Sequence, residues 1–264
     1  MVHSGSTFRR RLAAVIVVAV SAVALTACEK KSAGLGDSDG LSTGSTNPAS
    51  MIETAKLGEA YQADPSNPAK ALAYANALGG IGQVDKQLQI MKQLHSSNPG
   101  DAKIAAIYGK KLVGTGQGTA AIPVLQSAAA DPKADWRIYS ALGTAFDQAG
   151  QFEDARSEYE KALAKSPGET SVLNNMGMSY ILQGDPKNAE AVLRKASLSP
   201  KSKNEPRIRQ NLALAVGLQG RYDEAREIAS KDLPADQIEA NMEYLQSMMS
   251  KSNTWKQLSE EAPG

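Results

Sequence analysis

From Met51 onward, apolar residues recur at spacings of three and four, and glycines interrupt them at regular intervals. Between Tyr139 and Leu163 the large positions are Tyr139, Leu142, Phe146 and Tyr159, and the small ones are Gly143, Ala155 and Ala162. Gly150 divides this stretch and Pro167 ends it. The spacing on each side of Gly150 predicts two amphipathic helices joined by a tight turn. The pattern then repeats. A shift of 34 residues turns Gly143, Phe146, Gly150 and Ala155 into Gly177, Tyr180, Gly184 and Ala189. A further shift of 36 gives Ala213, Val216, Gly220 and Ala225, with two extra residues near Asn204 and Glu205. Backwards, the same step reaches Gly109, Leu112, Gly116 and Ala121, then Ala75, Leu78, Gly82 and Met91.

A period of 34 with a helix-joining glycine at 82, 116, 150, 184 and 220 resembles the tetratricopeptide repeat. The resemblance covers about residues 68–239 and implies an all-α superhelical solenoid of about five helix hairpins. The expected repeats are 68–101, 102–135, 136–169, 170–203 and 206–239. Each hairpin has a face that it cannot bury alone, so stability comes from stacking on its neighbours. Small residues such as Gly143 and Ala155 permit close helix approach. Three positions depart from the family pattern: Gln87 and Asp232 stand where it has small residues, and Pro186 replaces an aromatic after a turn. Met51 to Ala63 reads as an N-terminal capping helix with Ile52, Ala55, Leu57, Ala60 and Tyr61 as its apolar positions. Pro234 to Met249 reads as a C-terminal capping helix, with Ile238, Met242, Leu245 and Met249 on one face. Together these give an expected repeat domain of 51–249 and a loose polar tail over 250–264.

Composition agrees with helix: aromatics are 5% of the chain, and strands draw on aromatic and β-branched residues. The net charge of +1 carries no nucleic-acid footprint. The N-terminal residues 1–27 read as a targeting segment. Arg9, Arg10 and Arg11 precede an apolar run from Leu12 to Leu25, too short for a spanning helix. The run ends in Leu25-Thr26-Ala27-Cys28, and Cys28 is the only cysteine. This resembles the lipobox of bacterial lipoproteins, which implies cleavage before Cys28, acylation of its thiol, and attachment to a membrane in the cell envelope, facing the periplasm. Glu29 stands where aspartate retains such lipoproteins on the inner membrane, so sorting to the outer membrane is open and is the expected location. Residues 28–50 are polar and small, and read as a tether between lipid and repeats.

Catalytic chemistry lacks parts. After signal removal one histidine remains, His95, near the end of a second repeat helix, where it reads as a surface residue. Clusters with metal-ligand spacing are absent, and no phosphate-binding motif is present. Gly114, Gly116 and Gly118 form a glycine-rich run, but it connects two repeat helices. The expectation is a protein without enzymatic activity, cofactor or metal, whose partner is another protein.

The repeat resemblance implies where that partner lies. Family positions on the first helix of each repeat face a concave groove. They correspond here to Arg137 in the third repeat, to Asn174, Met178, Ile181 and Leu182 in the fourth, and to Arg207, Gln210, Leu214 and Leu218 in the fifth. The groove so composed is apolar with polar ends, suited to an amphipathic helix or an extended apolar segment. Alternatively, the C-terminal helix fills part of it. The segments from Ala134, Ser171 and Arg207, with Asn174-Asn175-Met176-Gly177, Arg209-Gln210-Asn211-Leu212-Ala213-Leu214 and Asn241-Met242-Glu243-Tyr244-Leu245, further resemble the TadD lipoproteins of tight-adherence pilus systems. That resemblance implies an accessory that assembles or localises an outer-membrane secretin. The alternative within the same fold is an adaptor for cell-wall enzymes or for outer-membrane protein assembly.

Overall fold

The computed structural model describes residues 48–261, with side chains described to Ser250. The lipobox, Cys28 and most of the expected tether lie outside the described residues. Twelve α-helices are present among the described residues, and no strand. They are α1 (Pro48–Ala63), α2 (Pro68–Gly80), α3 (Val84–Ser97), α4 (Ala102–Gly114), α5 (Gly118–Ala129), α6 (Trp136–Gln148), α7 (Phe152–Lys165), α8 (Thr170–Gln183), α9 (Pro186–Ser197), α10 (Pro206–Gly217), α11 (Tyr222–Ala229) and α12 (Ala235–Glu261). A 3₁₀ turn, Pro200–Asn204, lies between α9 and α10. The helices α2 to α11 coincide with the five expected helix pairs. The described residues divide between Ala149 and Gly150 into two compact units.

Local chemistry explains the punctuation. Asn67, Asp101 and Asp135 cap α2, α4 and α6, each side chain accepting from the two following free backbone N–H groups. The five helix-joining glycines all have positive φ, from 74° to 86°, a backbone region that other residues enter at a cost. The residue after the glycine then bonds back across the turn: Gln83 N donates to Leu78 O, Gln117 N to Leu112 O and Asp185 N to Tyr180 O.

In the unit up to Ala149, Tyr61, Ala71, Leu94 and Ile104 form a core cluster. Gly109 lies against Leu125: a Cβ there would sit 2.5 Å from the leucine Cγ. Gln87, out of place by the family pattern, is buried and packs on Gly79, where a Cβ would sit 2.4 Å from its Nε2. The small residue has moved to the facing helix. His95 is half-buried rather than on the surface, its ring 5.7 Å from that of Tyr108. The reason is the Tyr108 side chain of α4, whose ring is tilted against it.

Helix α1 buries only part of the face expected, Tyr61 fully and Leu57 by half. Thr54, Gly58 and Tyr61 are buried, whereas Ile52, Ala55 and Ala60 are exposed. The cause is the Tyr74 ring, which lies 3.1 Å from a Cβ built on Gly58 and stacks 5.7 Å from Tyr61. Only the glycine face admits that ring. The helix also begins at Pro48, inside the expected tether.

In the unit from Gly150, one cluster joins Ile181, Leu193, Leu212, Val216 and Ala225 to Ile238, Met242 and Leu245 of α12. Gly177 lies against Leu193 as Gly109 does against Leu125. Met248, not Met249, completes the packed stripe of α12. Helix α12 continues to Glu261, through most of the expected tail of 250–264. Residues 235–261 contain neither glycine nor proline to stop it.

Ion pairs brace this unit. Glu190 of α9 accepts from Arg194, from Gln219 Nε2 at 2.7 Å and from Arg221 Nη2 at 2.6 Å. Burial would raise its carboxyl, but hydrogen bonds from Arg221, Gln219 and Arg194 outweigh that and hold the group at about 2.

Candidate functional site

On α8, Asn174, Met178 and Leu182 fall four residues apart, so they share one stripe of the helix. On α10, Gln210, Leu214 and Leu218 do the same, Leu218 being its C-cap. The two helices touch, and Asn211 Nδ2 donates to Asn174 Oδ1 at 2.8 Å, fixing their register. All six stripe residues are half-buried. Met178, Leu214 and Leu218 rest on the core cluster below them while keeping part of their surface open. The result is a double apolar stripe with amides at one end and the exposed Arg207 in the first turn of α10.

Two expected groove residues stand elsewhere. Ile181 is fully buried in the core cluster. Its side chain leaves α8 about 100° around the axis from Leu182, which places it under the stripe rather than on it. Arg137 belongs to the other unit, where its guanidinium lies 4.6 Å over the Trp136 ring and 3.4 Å from Asp135 Oδ2. The C-terminal helix enters the question only in part. Leu245 Cδ1 would lie 3.0 Å from a Cβ on Gly217, so α12 covers that position of the last repeat.

The remaining chemical features serve the frame. The run from Gly114 to Gly118 is a repeat turn whose amides bond to Leu112 and Val113 carbonyls, and Gly118 packs on Gln148. A recess of about 550 Å³ lined by Asn98, Asp101, Lys103 and Asp131 holds carboxylates engaged by backbone N–H groups. Groups of three or more residues able to hold a metal are absent among the described residues.

Sequence comparison agrees with this geometry. Tetratricopeptide-repeat profiles match residues 109–170, 140–203 and 206–231. Those residues are tetratricopeptide repeats. Solved structures similar to it include MamA of AMB-1, 26% identical with a TM-score of 0.51, over 56% of this chain and 88% of that one. MamA from Desulfovibrio magneticus RS-1 is 22% identical with a TM-score of 0.53, over 60% and 89%. PilW, described as a widely conserved type IV pilus biogenesis factor, is 21% identical with a TM-score of 0.60, over 77% and 99%. The last two likenesses establish the shared fold. No curated protein matches the chain. With those repeats, it is a scaffold for protein–protein interaction.

Proposed function

We propose that this protein is a lipid-anchored assembly factor of a tight-adherence pilus system, and that it holds a segment of the outer-membrane secretin against α8 and α10. The observation that carries the binding part is the double stripe of Met178, Leu182, Leu214 and Leu218, left half-open above a well-packed core. An amphipathic helix or extended apolar segment would cover those side chains, its polar flanks meeting Asn174, Gln210 and Arg207. The secretin reading rests on the resemblance of residues 134–248 to TadD lipoproteins and on the lipobox around Cys28. Acylation of Cys28 would confine the scaffold to the membrane that holds its partner. Confinement raises the effective concentration of the partner without any new contact.

The test pairs wild type with Met178→Arg/Leu214→Arg in a pull-down from detergent-solubilised envelopes. Two buried-edge cations in the stripe would abolish capture of the secretin. Equal capture by the variant would move the binding surface off α8 and α10.

A further inference from the structure

We propose that the turn between α9 and α10 is a second membrane contact, with Leu198 entering the interface of an anionic lipid bilayer and Lys195, Lys201 and Lys203 meeting its headgroups.

The turn is an insertion. Residues 198–205 join α9 to α10, whereas the shorter segments 98–101, 130–135 and 166–169 join the earlier hairpins. Insertions in repeat arrays map to loops on one face, often a binding face. This one is braced. The buried Ser202 hydroxyl lies 2.8 Å and 2.7 Å from the carbonyl oxygens of Ser197 and Ser199. Arg209 Nη1 donates to the carbonyls of Ser202 and Lys203. What the brace presents is Leu198, 83% exposed and the most exposed of the large hydrophobic side chains described. Transfer of that exposed leucine to an apolar environment would be favourable.

Charge identifies the receiver. Lys195, Lys201 and Lys203 are exposed and lie within five residues of Leu198 in sequence, with Lys195 one helical turn before it. Glu205 is the single acid within residues 191–210, and it accepts a hydrogen bond from Thr170; from outside that window Glu169 Oε2 lies 4.0 Å from Lys201 Nζ, which leaves Lys195 and Lys203 as the lysines without an acid beside them in the ion pairs of the described residues. Residues 191–210 carry six Lys and Arg against one Glu, in a protein whose net charge is only +1. One protruding aliphatic ringed by lysines, with no aromatic anchor, fits a lipid surface better than a protein pocket. Lysine is a flexible point charge that makes no geometric demand on a headgroup.

The contact does not depend on acylation, so the test removes it. In a Cys28→Ser background, Leu198→Cys carries the only thiol and takes an environment-sensitive fluorophore; Asn76→Cys, on α2, serves as the control site. Phosphatidylglycerol vesicles should shift emission to the blue at position 198 and not at 76, and phosphatidylcholine vesicles should shift neither. Lys201→Glu/Lys203→Glu should weaken the response more than about tenfold, since each cation near an anionic surface counts for roughly a fivefold factor. Association through the apolar segment 12–25 alone would leave the probe at 198 unmoved. No shift at 198, an equal shift with phosphatidylcholine, or indifference to the charge reversals would overturn the proposal. Circular dichroism of each variant confirms that the helices are retained.

Discussion

Arg209 and Asp232 form a paired, two-point contact: Arg209 Nε donates to Asp232 Oδ2 at 2.6 Å and Nη2 to Oδ1 at 2.5 Å. Asp232 stands where the repeat pattern calls for a small residue, and it is almost fully buried. The pair ties α10 to the end of the last hairpin, and through Nη1 it also holds the inserted turn. Asp232→Ala restores the family residue yet should destabilise the unit by about 3 kcal/mol, because it leaves the Arg209 charge uncompensated. Urea titrations followed by circular dichroism would show a lower midpoint. Asp232→Ala/Arg209→Met should recover much of the loss.

Gly177 should reject larger side chains. A Cβ there would lie 2.5 Å from Leu193 Cγ on the facing helix. Gly177→Val is therefore expected to cost about 1–3 kcal/mol through overpacking. Adding Leu193→Ala should return part of it, since residues in contact are non-additive. Thermal unfolding of the two single variants and the double variant measures the coupling.

Acid should loosen the unit from Gly150 through Glu190. Its carboxyl falls from an ordinary value of 4.5 to about 2 in the folded chain. A lowered folded pKa contributes stability above pH 4.5, and the contribution is lost as pH falls from 4.5 towards 2. After allowance for solvent screening it is about 1–2 kcal/mol. Glu190→Gln should be less stable than wild type at neutral pH, and the difference should shrink across that window in urea midpoints.

The 34-residue period was legible because its markers are steric. The turn needs positive φ at Gly82, Gly116, Gly150, Gly184 and Gly220, and few other residues supply it. Compensations between helices were not legible. Gln87 reads as a defect until Gly79 is seen beside it, and Asp232 until Arg209 is. The same limit explains α1, whose buried face is chosen by Tyr74 of the next helix rather than by its own Ile52. Within the candidate site, Ile181 and Leu182 are adjacent aliphatics, and only their angular positions on α8 send one to the core and the other to the stripe. The caps Asn67, Asp101 and Asp135 carry a signal that could have been read, since they too are 34 residues apart.

Cys28→Ser is expected to leave the helical domain folded while freeing the protein from membrane attachment through lipid. Fractionation of cells carrying the variant, with detergent-phase partition as readout, tests this. A Cys28→Ser protein that still partitions wholly into the detergent phase would contradict acylation at that residue.

Capture of a secretin segment by α8 and α10 can be read from the envelope pull-down by mass spectrometry. Wild type should capture a secretin and other tight-adherence components, and Met178→Arg/Leu214→Arg should lose them at retained helicity. Recovery of cell-wall enzymes or outer-membrane insertion subunits without a secretin, or a secretin held equally by the variant, would contradict it.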